Sequence, residues 1–151
     1  MLPYDFKLTE NILLAIEKGL FNPDIIANIA ANKFKPNENE MLTLQFRFSV
    51  EMTTKNISFP LSGSIWNNMQ EFWNKDAKDK KQKSDTYFFI PTKLFEEYLV
   101  QLSGGLFVDN KVEMMATLWG SVYVYDFLFS IGIISPSVYN DFKETSNILK
   151  G

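Results

Sequence analysis

The stretch Met114–Ile134, MMATLWGSVYVYDFLFSIGII, constrains this chain more than any other. Its 21 residues include one charged side chain, Asp126, and apolar groups fall on every side of a helical projection. A helix with that pattern belongs inside a protein core or a membrane. The length suffices for a bilayer. Asp126, however, would cost roughly 2.5–3.5 kcal/mol at the bilayer centre, and no basic cluster flanks the segment. The reading is therefore a central helix of about 110–133, buried and surrounded by other helices, with no membrane span. Ala116 and Gly120, with Thr117 and Ser121 beside them, form rows of small residues four apart that let a neighbouring helix come close.

A chain of 151 residues reads as a single globular domain over 1–151. Aromatic residues are 15% of it, which favours a dense core over disorder. Several chemistries are excluded by what is missing. There is no cysteine, so there are no disulfides, thiolate nucleophiles or cysteine-ligated metals. There is no histidine, so histidine triads and histidine metal sites are absent. No metal-ligand spacing, cofactor motif or catalytic constellation stands out, and the chain is read as not an enzyme, with no cofactor. The net charge of −3 supplies no positive field for phosphate, so nucleic acid is not expected as a partner. The N-terminus MLPYDFKLTE lacks the features of a signal peptide, which places the expected location in the cytoplasm.

The remaining elements follow from periodicity and punctuation. Thr9–Lys18 reads as a first helix, stopped at Gly19. Asn22-Pro23-Asp24 opens a second, completing an N-terminal helical hairpin that Lys35-Pro36 ends. From Leu42 to Met52 every even position is apolar and every odd one polar. That period of two predicts a strand, and Ile57, Phe59 and Leu61 repeat it after a polar turn. The expectation is thus an antiparallel β-hairpin over about 41–61, with a third short strand at 86–90. Ile65, Trp66, Met69, Phe72 and Trp73 then form one helical stripe, followed by the charged run Lys75–Lys83. Pro91 and Ser135-Pro136 each open a later helix, and Gly104-Gly105 stops the first of these. The fold class expected is α+β and mostly helical. The alternative is all-α, with 41–52 a buried helix.

For function the sequence favours a small acidic protein-binding module. An immunity protein or inhibitor of bacterial or phage type, which occludes a toxin or effector, has this general profile. The partner is another protein whose identity, like the oligomeric state, the residues leave open. The polar face of the expected hairpin, Thr43, Gln45, Arg47 and Glu51, is the candidate protein-binding surface, together with Glu38 and Glu40. A dimeric secretion-type chaperone is a second reading. A third is a small-ligand binder or enzyme with Tyr123, Tyr125 and Asp126 around a pocket. The plainer reading of Asp126 is an acid at the helix rim, bonded to a tyrosine hydroxyl or a loop amide.

Overall fold

A computed structural model describes residues 23–75, 83–104 and 111–151. The expected helix Thr9–Lys18 with its stop at Gly19, the Asn22 cap, residues 76–82 of the charged run and Gly105 lie outside these. Seven helices are present among the described residues: α1 (Pro23–Asn32), α2 (Glu38–Thr53), α3 (Phe59–Lys75), α4 (Ser84–Phe88), α5 (Thr92–Leu102), α6 (Lys111–Ser130) and α7 (Pro136–Lys150). The one β contact among them is an isolated antiparallel bridge between Phe34 and Lys83.

The expected β-hairpin at 41–61 is therefore corrected: the segment is α2, a turn and the start of α3. The all-α alternative is the architecture observed. The helix begins where Asn37 Oδ1 accepts from the Glu40 N–H at 2.9 Å and Glu40 Oε1 accepts from the Asn37 N–H at 2.9 Å. That reciprocal capping box fixes the first turn. The alternation misleads because two of its polar positions carry short hydroxyls that a helix can bury. Thr43 donates to the Asn39 carbonyl one turn back, and Ser49 accepts from Ser62 of α3 at 3.0 Å. With those two inside, Met41, Leu44, Phe48 and Met52 recur at helical spacing and line the core. Asn56, at φ 62°, then stops the helix: its N–H bonds the Thr53 carbonyl, and the Ile57 N–H bonds Met52. Pro60 sits in the first turn of α3, where a missing N–H costs nothing.

The third strand expected at 86–90 is also corrected. Tyr87 and Phe88 lie in the short helix α4, and the chain turns extended only after it, at Phe89. Ser84 ties this helix down through its hydroxyl, which donates to the Phe34 carbonyl at 2.7 Å.

The stripe on α3 is fully inside: Ile65, Trp66, Met69, Phe72 and Trp73 are all buried. It meets α2 on one side and α6 on the other. Trp66 packs against Phe48 and Trp73 with ring centroids 5.5 and 5.6 Å apart. Trp73 sets its edge against Phe88 at 4.7 Å. α6 also packs against α5 and α7. α7 starts at Ser135, whose hydroxyl accepts from the Val138 N–H, with Pro136 in the first turn. It runs back antiparallel along α6, so that Tyr139 meets Phe129, Phe142 stacks on Tyr125 and Lys150 reaches Trp119.

Candidate functional site

α6 is not enclosed on all sides. Thr117, Leu118, Gly120, Ser121, Val124, Tyr125, Phe127 and Leu128 face inward. Val112, Met115, Trp119 and Tyr123 recur at intervals of three and four, so they share the opposite face. All four are exposed, Val112 at 82% and Trp119 at 52%. The helix is apolar around its whole circumference, but the described helices supply neighbours for only part of it. No helix among the described residues is long and apolar enough to cross a membrane.

The C-terminal half of this outer face is finished by α7. Phe129 stacks on Tyr139 at 4.3 Å with the rings nearly parallel. The Tyr139 hydroxyl donates to Asp126 Oδ1 at 2.5 Å, and Lys143 Nζ lies 3.8 Å from the same oxygen. That hydrogen bond, helped by burial and by the charge of Asp126, pushes the Tyr139 phenol up to about 12. Further along, Lys150 Nζ stands 4.1 Å over the Trp119 ring. Partial burial and repulsion from Lys143 lower the Lys150 ammonium from its usual range.

The three residues grouped at sequence level around a ligand do not converge. Tyr125 points into the core, where its hydroxyl accepts from Trp73 Nε1 at 2.9 Å and donates to the Phe88 carbonyl. Burial pushes its phenol well above the usual range. Tyr123 and Asp126 face outward, Asp126 as an acceptor at the helix rim. The open groove beside α5, about 180 Å³, is lined by Phe72, Lys75, Leu94, Glu97, Tyr98 and Gln101 and includes none of these three.

The residues assigned to a protein-binding face of the hairpin are spread around α2 instead. Thr43 is buried, and Glu40 closes the capping box. Gln45 reaches Asn67 at 3.4 Å, and Arg47 and Glu51 are half-buried. Glu38 is exposed in the first turn. No group of three or more Asp or Glu side chains is placed to hold a metal ion among the described residues.

The outer face of α6 is not among the surfaces expected from the sequence. Its signal was present as the 3-4 spacing of Val112, Met115, Trp119, Val122, Asp126 and Phe129. Apolar residues on the inward side masked it. The chain matches no family model, no curated protein and no solved structure.

Proposed function

We propose that this chain is a protein-binding module that docks a partner protein on the outer face of α6. It acts by covering the partner's surface, as an inhibitor or immunity protein does, and not by chemistry. The observation that carries this reading is the contiguous exposed row Val112, Met115, Trp119 and Tyr123 on a helix whose other side is core. Contiguous apolar surface of this kind marks interaction sites. Trp and Tyr are the side chains most often found at the centre of protein interfaces, and Met adapts its shape to a partner.

The test is capture from the source cell's lysate by the tagged chain and by its Trp119→Asp variant. Because Trp119 projects outward, the variant should melt within a few degrees of wild type and lose a partner that wild type retains in stoichiometric amount. Reversing Arg47 and Glu51 on α2 should leave capture intact. A partner held equally by Trp119→Asp, or a wild-type chain that retains nothing, rejects the proposal.

A further inference from the structure

We infer that the occupant of the α6 face is an amphipathic helix of another protein, with carboxylates along one flank of its apolar seam. This rests on the docking reading above and adds the chemistry of the partner. The first argument is spacing. Val112, Met115, Trp119, Val122, Asp126 and Phe129 alternate by three and four, the repeat by which one helix presents a continuous seam to another. Phe129, stacked on Tyr139, closes the C-terminal end of that seam against α7. An amphipathic helix laid against such a surface is a recurring mode of recognition.

The second argument is charge. Lys143 and Lys150 belong to α7 and border the seam on the Phe129 side. Lys111 is exposed and falls on that side too, roughly 80° around the helix from Trp119. The chain as a whole carries −3, so this cationic flank runs against its overall sign. Asp126, the one acid within the seam, already holds the Tyr139 hydroxyl and Lys143. Burial first, and then repulsion from Lys143, lowers the Lys150 ammonium, and an anionic group placed between the two lysines relieves the repulsive part. A second copy of this chain would bring the same three lysines to the contact, so like charges would meet. A lipid surface would have to take Asp126, next to the last residue of the row, out of water. A partner helix with glutamate or aspartate on one flank satisfies both the seam and the lysines.

The experiment uses two synthetic helical peptides that share leucine at the seam positions. One carries glutamate on both flanks and the other lysine. Each is titrated into the full chain by calorimetry, with acrylamide quenching of tryptophan as a second readout. Trp66 and Trp73 are fully buried, so quenching reports on Trp119. The acidic peptide should bind and shield Trp119. The basic peptide should bind about tenfold more weakly, and the combined Lys143→Gln and Lys150→Gln variant should weaken the acidic peptide by a similar factor. Equal binding of both peptides, or indifference to the lysine changes, overturns the inference. So does shielding of Trp119 by self-association in sedimentation, or by phosphatidylserine vesicles in place of the acidic peptide. If neither peptide binds while Trp119→Asp still abolishes capture of a cellular partner, the acidic helix is wrong and the docking face stands. If Trp119→Asp changes nothing in either assay, both fall.

Discussion

The inner and outer faces of α6 are built from similar side chains and meet opposite fates. Inward, Thr117, Gly120 and Ser121 are small, and the backbone comes close to α3. Outward, Trp119 and Tyr123 project beyond the helix and stay exposed among the described helices, Trp119 with only Lys150 of α7 over its ring. Apolarity alone therefore does not choose the buried side. Fit to the neighbours does, because a core is filled to nearly crystalline density and rewards surfaces that interlock. The outer face has the composition of a core without the complementary wall.

The largest test of this contrast is truncation of an aromatic side chain on the α3 surface that packs against α6. Trp73 contacts Phe88, Tyr87 and Tyr125 and donates its indole N–H to the Tyr125 hydroxyl. Trp73→Ala should cost about 3–5 kcal/mol in urea unfolding, a large part of the stability of an ordinary domain. A cost below about 1 kcal/mol would mean that this wall is not the core.

Gly120→Ala probes the same side by addition. A Cβ there would lie 2.5 Å from Ile65 Cδ1, 2.8 Å from Cγ1 and 2.9 Å from Cγ2. All three atoms belong to one buried side chain, so the strain is local. The substitution should destabilise by about 1–3 kcal/mol. Combining it with Ile65→Ala should cost less than the sum of the two single changes, because the clash and the cavity cancel. Strict additivity would show that α3 and α6 are not in contact here.

Alkaline pH separates the two faces by cause. Tyr125 is held neutral by burial, Tyr87 is pushed up to about 12 by burial, and Tyr139 reaches about 12 mainly through Asp126. Each phenol is raised above its unfolded value near 10, so the folded state keeps its protons longer. The stability this contributes is complete below pH 10 and is lost as pH rises from 10 towards 12. Thermal melts across that window should show a steady fall in Tm. In ultraviolet titration, Asp126→Asn should return one phenol, Tyr139, towards 10 and leave the inner ones unchanged. A flat Tm between pH 9 and about 12 would rule out this linkage.

Much of the helical frame was legible in the residues. The α3 stripe, the openings at Pro91 and Ser135-Pro136, and the long apolar helix all follow from spacing and caps, and each is present. The segment from Met41 to Met52 has the period of a strand and folds as a helix, and the cause is specific. Periodicity treats Thr43 and Ser49 as groups that must face water, yet a hydroxyl that bonds a carbonyl one turn back, or another hydroxyl across a helix contact, can be buried. The better signal was four residues earlier, in Asn37 and Glu40 at capping-box spacing. The candidate site was obscured by the opposite problem. Asp126 is conspicuous as a lone charge in an apolar run, and only proximity in sequence groups Tyr125 with it. One residue is a 100° turn of a helix, enough to put Tyr125 in the core and Asp126 at the rim.

The smallest expected effect is the one that gives the comparison its point. Trp119 has the same side chain as Trp73 and sits at the same kind of helical register, but it is 52% exposed and its polar contact is a lysine lying over the ring. Removing it gives up a cation–π contact of about 0.5–1 kcal/mol at an exposed site and leaves no cavity. Trp119→Ala should therefore shift stability by no more than about 1 kcal/mol, several-fold less than Trp73→Ala. The Lys150 ammonium would lose its ring and gain water, which offsets part of even that. Paired urea unfolding curves for the two variants measure the ratio directly. Costs of similar size would mean that Trp119 is packed against something that completes the bundle. The outer face of α6 would then be part of the core, with no surface left for a partner.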